Sequence, residues 1–244
     1  MRGPGGQPLL VGFGLAAAVD LGSLAAGFTP GHTVAKPLLM PLLAAYVHAR
    51  GGPRLLIAAL LCGWGGDVLL LSDAEPAFLA GMGCFAAGHV CYLVLFGKRA
   101  RQASASHGAT DRGSPVVGER GARARALRLP AVYALALVVA VAGLWPGLPA
   151  DLRVPVAGYS ALLTAMACSA ARLGVVAGAG GALFVLSDML IATGVAEWPQ
   201  LPRPDLWIML TYIAAQYLLA RGVLRTLEAE LPAPTGGGPV PATP

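Results

Sequence analysis

Apolar residues run along this chain in long stretches of about 17–22, without the polar face at helical spacing that a soluble helix carries. A helix of that length crosses a hydrocarbon core of roughly 30 Å. Between the breakers there are eight such stretches: Pro8–Phe28, Thr33–His48, Arg54–Leu71, Pro76–Gly97, Leu129–Trp145, Leu152–Ala170, Val175–Ala196 and Pro204–Gly222. The pattern predicts an all-α polytopic membrane protein of eight transmembrane helices. The first stretch is kept as a span rather than a signal peptide, because only Arg2 precedes it and Asp20 interrupts it.

Composition agrees with this class. Of 244 residues, 56% are hydrophobic and 12% charged, against about 25% charged in soluble domains, and the mean hydropathy is +0.68. The formal charge of +5 changes meaning once its positions are read. Arg2, Arg50, Arg54, the run from Lys98 to Arg128, Arg172, Arg221 and Arg225 all flank the spans on one side. Arg153 and Arg203 lie on the other side, with Asp73, Glu75, Asp151, Glu197 and Asp205. Cytoplasmic loops carry the excess of lysine and arginine. The expectation is therefore a cell-membrane protein with both termini cytoplasmic, its basic surface turned to membrane lipids and not to nucleic acid.

The expected organisation follows: a short N-terminus (1–7), four spans (8–97), an Arg-rich cytoplasmic loop (98–128), four more spans (129–222) and a tail (223–244). The loop is expected to be mobile, and the PAPTGGGPVPATP end of the tail to be disordered. Cys62, Cys84, Cys91 and Cys168 fall in apolar stretches with no CxxC pair, and read as small hydrophobes between helices. Mid-helix glycines, such as Gly174 and Gly178 at four apart, read as points of close helix packing.

Against this background the ionisable groups inside spans stand out, because they are expensive there and mark function by default. They are Asp20, Lys36, Asp67, His89 and Asp188, with Gln216 beside them in kind. At 1.5 Å per residue, the three aspartates each lie about 12–14 residues, roughly 20 Å, from the cytoplasmic ends of their helices. Lys36 reaches a similar level from the other face. Asp20 and Lys36 are expected to be near enough for a buried ion pair. His89 and Gln216 lie nearer the cytoplasmic side by about 10 Å. Tyr92, Tyr159 and Tyr212 add hydroxyls to the same region.

The third and seventh spans resemble each other: GWGGDVLLLS beside FVLSDMLIAT, each with a small or hydroxyl residue (Gly66, Ser187) before the aspartate. Each is followed by a helix with an aromatic four positions before a polar residue: Phe85 and His89, then Tyr212 and Gln216. Two four-helix units in one orientation are related by an axis along the membrane normal, which would set Asp67 and Asp188 facing across the centre.

Two carboxyl groups close together in a low-dielectric cavity cannot both ionise cheaply, so one keeps its proton. An acid and a base then come from one residue type. Such a pair suits acid-assisted addition of water through an oxocarbenium-like state. Covalent and metal routes lack support: there is no GxSxG around Ser160, no HExxH, and His32, His48 and His107 fall at expected loop positions. No metal and no cofactor are expected. A carrier would also place acids at the midplane, and a lipid-binding protein could use aspartates as packing devices, so both stay open at this point.

The motifs then carry a family likeness. AKPLLMPLL around Lys36, GGDVLLL around Asp67, FAAGHVCYLVLF across His89 and Tyr92, GALFVLSDMLIA around Asp188 and TYIAAQYLLA with Tyr212 and Gln216 occur in that order. Together they resemble the YhhN-like membrane proteins, whose animal relatives are lysoplasmalogenases. The resemblance covers most of the chain from Lys36 to Ala220; the first span, with Asp20, carries no matching motif. It implies eight spans and hydrolysis of the vinyl ether bond of lysoplasmalogens, giving a fatty aldehyde and glycerophosphoethanolamine or glycerophosphocholine; the expected partner is thus a lysophospholipid or ether lipid substrate. That chemistry fits the carboxyl pair read above, with Asp67 and Asp188 as the expected acid and base. Lys36, His89, Tyr92, Ser187, Tyr212, Gln216 and Asp20 would then support them, by holding the phosphate, tuning the aspartates or orienting water.

Overall fold

The computed structural model describes residues 6–72, 74–110 and 119–230. They form eight α-helices and no strand: α1 (Gly6–Ala26), α2 (Thr29–Ala49), α3 (Arg54–Leu69), α4 (Glu75–Thr110), α5 (Glu119–Leu144), α6 (Arg153–Ala171), α7 (Val175–Val195) and α8 (Pro204–Glu230). Among the described residues, five helices are long and apolar enough to cross a membrane: α1, the Glu75–Gln102 part of α4, α6, α7 and α8. In α5 the apolar stretch is shorter, Arg128–Leu144. The chain is a multi-pass helical membrane protein.

The helix ends depart from the hydropathy boundaries where polar residues continue a helix. α2 begins at Thr29, ahead of the expected Thr33, with a proline in its first turn, where the missing N–H costs nothing. His32 and His48 therefore lie in α2, and His107 in α4, rather than in loops. α4 runs on past Gly97 to Thr110 and α5 starts at Glu119. Both flanks of the expected Arg-rich loop are thus helical, since Ala, Arg, Lys and Gln are good helix formers. α8 also runs beyond Gly222 to Glu230, because Val223 and Leu224 are still buried. Residues 111–118 of the expected loop, Asp73, and the tails at 1–5 and 231–244 lie outside the described residues.

Short connections make chain neighbours pack side by side. α1 packs on α2, α2 on α3, α3 on α4, α4 on α6, α6 on α7 and α7 on α8, and α8 returns to α1. α5 stands outside this ring, against α6 and the edge of α7. At one end, Arg50 pairs with Glu228, while Arg99 donates to Thr226 Oγ1 at 2.8 Å and to Glu230 at 3.2 Å. Basic residues of α2 and α4 thereby meet the end of α8, which makes this the basic end. At the opposite, acidic end a small separate core joins Leu144, Leu148, Leu152, Val156 and Ala196 to Phe78 and Val195.

α7 is held backbone to backbone. A Cβ on Gly180 would lie 2.8 Å from the Leu219 nitrogen and 2.9 Å from the Ala215 carbonyl oxygen of α8. One on Gly181 would lie 2.8 Å from the Ala167 Cα of α6. Close approach falls here and at Gly178, 3.0 Å from the Ala171 Cα, but not at Gly174, which precedes α7 at φ 129° with open space around it.

Candidate active site

The interior holds two polar chains, each ending on a carboxyl group. In the first, Tyr92 of α4 donates to Gln216 Oε1 of α8 at 2.7 Å, and Gln216 Nε2 donates to Tyr212 Oη at 3.3 Å. Tyr212 in turn donates to Asp67 Oδ2 of α3 at 2.8 Å. All four are buried. The glycines of GWGGD make room for them: a Cβ on Gly63 would stand 3.1 Å from both Gln216 Nε2 and Tyr212 Oη, and one on Gly66 would meet the Phe85 ring.

In the second chain Tyr159 of α6 donates to Asp188 Oδ2 of α7, and His89 Nε2 of α4 lies 3.1 Å from the Tyr159 oxygen. Tyrosine has one proton to give. With it committed to Asp188, His89 is the donor in the other bond, through Nε2–H. Its Nδ1 is buried and has no hydrogen-bond partner.

Asp188 opens onto a cavity of about 380 Å³ among α4, α5, α6 and α7, a size usual for small-molecule sites. Its wall is almost wholly apolar, and Asp188 is the carboxyl group in its lining. Asp67 is not in that lining. Phe85 borders both this cavity and a tight chamber lined by Gly63, His89, Tyr92, Phe184 and Gln216. The chamber as it stands has no room for a water molecule. Phe184 packs edge-on against His89, Tyr212 and Phe85. The expectation of two carboxylates in one shared pocket is thus corrected. Asp67 and Asp188 are within electrostatic reach of each other, but each is bound by its own tyrosine, and aromatic rings lie between the two chains.

The remaining expected residues sit elsewhere. Asp20 of α1 is fully buried and pairs at 2.8 Å with His32 Nδ1, not with Lys36; its second oxygen has no partner. Lys36, one turn beyond His32 on α2, is buried and within electrostatic reach of both Asp20 and Asp67. Ser187 turns away from both carboxyl chains, its Oγ donating to the Ile208 carbonyl of α8 at 3.1 Å. Sequence reasoning passed over His32, which a hydropathy boundary left in a loop. It named Tyr159 only as one hydroxyl among several. The signal for Tyr159 was its depth, about seven residues from either helix end at the acidic side, level with Asp188.

The first chain is a stability element that one hydroxyl holds together. Tyr212→Phe leaves Asp67 Oδ2 and a Gln216 amide proton buried and unpaired, at an expected cost of about 1–3 kcal/mol. The check is a lowered thermal unfolding midpoint in detergent, with Tyr217→Phe on the same helix as the unaffected comparison.

Fold and site define a class: a multi-pass helical membrane protein with two tyrosine-bound carboxyl groups in its interior, one of them open to an apolar cavity. The chain belongs to the YhhN family, whose family model matches residues 31–223. It is 35% identical over 176 residues to the Homo sapiens protein lysoplasmalogenase TMEM86B, covering 72% of this chain and 66% of that one, just short of two thirds of its length. It is 34% identical over 235 residues to the lysoplasmalogenase of Mycobacterium bovis, covering 86% of this chain and 80% of that protein. The Rattus norvegicus lysoplasmalogenase TMEM86B is 31% identical over 193 residues. No solved structure matches significantly. The matched region begins after Asp20, which therefore lies outside it.

Proposed function

We propose that this protein is a lysoplasmalogenase, an intramembrane hydrolase that adds water across the vinyl ether bond of lysoplasmalogens. The observation that carries the reading is Asp188, held by Tyr159 at the wall of an apolar cavity, in a chain related to proteins of that name. Tyr159 occupies Oδ2, so Oδ1 is the oxygen left to carry a proton. Asp188 transfers that proton to the β-carbon of the vinyl ether, and an oxocarbenium ion forms at the ether carbon. Negative charge from Asp188 and, behind Phe85, from Asp67 stabilises this cation. Water attacks the oxocarbenium carbon. Its released proton goes to the Asp188 carboxylate left by the first step. The hemiacetal then collapses to a fatty aldehyde and a glycerophospho-base, so one water is consumed and no cofactor is needed. Lys36 sets the field around Asp67, while Tyr92, Tyr212 and Gln216 fix its position.

We also propose that all eight helices span the cell membrane, with the basic end and both termini cytoplasmic, as two four-helix halves. The edge-on contact of Phe85 with Tyr212, the two aromatics of the repeated pattern, supports the halves. A carrier is disfavoured because α3 and α7 run unbroken through Asp67 and Asp188, whereas carriers use interrupted helices at their sites.

Purified protein in detergent with lysoplasmenyl-ethanolamine is expected to release fatty aldehyde, and the Asp67→Asn variant to release much less. Well-folded wild type that yields no aldehyde would sink the reading. Full turnover in both Asp67→Asn and Asp188→Asn would sink the mechanism alone.

A further inference from the structure

The cavity is polar in one half only. On α7, Asp188 stands six residues from Ala182 and seven from Val195, the two ends of its lining, so about 9 and 10 Å from each. Every other polar residue of the lining lies level with Asp188 or on the basic side of it. Tyr159 and Ser160 are level. Thr164 is one turn nearer the basic end on α6, and Tyr133 lies about 16 Å from Leu144 along α5. The half toward the acidic end is lined by residues such as Phe78, Leu144, Val156, Met189 and Val195, and merges with the separate apolar core there.

Two of these hydroxyls are also unspent. Serines and threonines inside helices normally bond a carbonyl one turn back, and in this protein Ser169, Thr211 and Thr226 bond carbonyls of their own helices. Ser160 and Thr164 have no hydrogen-bond partner among the described residues. They are four apart on α6, hence on one face, and that face is the cavity wall. Beyond them, at the basic ends of α6 and of its neighbour α5, stand exposed Arg172 just past α6 and exposed Arg128 in α5.

We propose that Ser160 and Thr164 bind the glycerol of the substrate, and that the lipid lies with its head group toward the basic end and its hydrocarbon chain toward the acidic end. This rests on the hydrolase reading for the identity of the lipid. The hydroxyl pair meets the free secondary hydroxyl of a single-chain glycerophospholipid, and the phosphate continues toward Arg128 and Arg172. The apolar half takes the alkenyl chain. The vinyl ether, which joins chain to glycerol, then falls at the level of Asp188. A lipid acylated at that secondary hydroxyl brings a second chain against the two half-buried hydroxyls of the cavity wall and leaves them unpaired, so the pair selects single-chain lipids.

Two measurements test this without turnover. The probe is a saturated 1-O-alkyl lysophosphocholine, which has no vinyl ether to cleave, carrying a diazirine at the chain terminus. Photolabelling of wild type is expected around Phe78, Leu144 and Val195, displaced by excess unlabelled lysolipid. Labels around Tyr133, Thr164 and Ala182 overturn the orientation, and labelling that excess lysolipid does not displace overturns occupancy of the cavity. Thr164→Val and Ser160→Ala are each expected to weaken binding of the probe about fivefold. Neither change is expected to alter binding of the matching analogue that lacks the secondary hydroxyl. Equal weakening for both analogues, or none for either, overturns the assignment of the pair. Aldehyde release by wild type separates this proposal from the hydrolase reading. Reversed labelling in an active enzyme sinks the orientation alone, and correct labelling in an inactive one sinks the activity alone.

Discussion

Replacing Asp188 by asparagine is expected to lower aldehyde release from lysoplasmenyl-ethanolamine by about 10³-fold, within the ~10²–10⁴ that positioned proton transfer contributes. Asparagine keeps the shape of the side chain and an oxygen to accept from Tyr159, so the fold and the cavity should persist. What it removes is the transferable proton and the charge. The loss should therefore fall on kcat, with KM little changed, because the interaction is made in the transition state. Asp67→Asn is expected to cost less, since Asp67 acts on the cavity from behind the Phe85 ring. Steady-state kinetics on both variants, with unfolding midpoints as controls, decide the point. A loss confined to Asp67→Asn would exchange the roles of the two carboxyl groups.

The largest structural effect is expected from Gly180→Val. Its Cβ would collide with the Leu219 nitrogen and the Ala215 carbonyl oxygen, and backbone atoms have no rotamer to move into. Relief requires α7 and α8 to separate, in a contact held by packing rather than by a hydrophobic drive. Overpacking of this kind costs about 1–3 kcal/mol or more. Separation would also stretch the Ser187 bond to the Ile208 carbonyl, one residue from Asp188. The variant should lose its monodisperse detergent-solubilised state or unfold well below wild type. Gly14→Ala, with nothing within 4 Å of its Cβ, should be neutral or stabilising, which separates packing from the removal of a glycine as such. A wild-type melting curve for Gly180→Val would remove close α7–α8 packing as the basis of the fold.

Much of the site was legible because a hydrocarbon solvent makes polar residues conspicuous. Asp67, His89, Asp188 and Gln216 stand out in a sequence of leucine, alanine and valine, and rise per residue placed them in depth. Rotation about each helix axis was not legible. Depth put Asp20 and Lys36 at one level, yet the carboxyl group of Asp20 meets His32. The repeat suggested that Asp67 and Asp188 face each other, yet a tyrosine claims each one. Those tyrosines come from α8 and α6, and no local pattern ties either to its carboxylate.

The sequence by itself determined the class, the eight helices to within their ends and the position of each polar group along its helix. Those follow from chain-local quantities: the length of an apolar run, the charges that flank it and the rise of a helix. The tertiary structure alone decided that α5 leaves the ring, that Asp188 and not Asp67 borders the cavity, and that the polar wall lies on one side of it. These depend on which helix faces meet, and that is set by backbone contacts such as those of Gly180 and Gly181 between helices. Hydropathy carries no record of such contacts, because in lipid every face of an apolar helix is equally content.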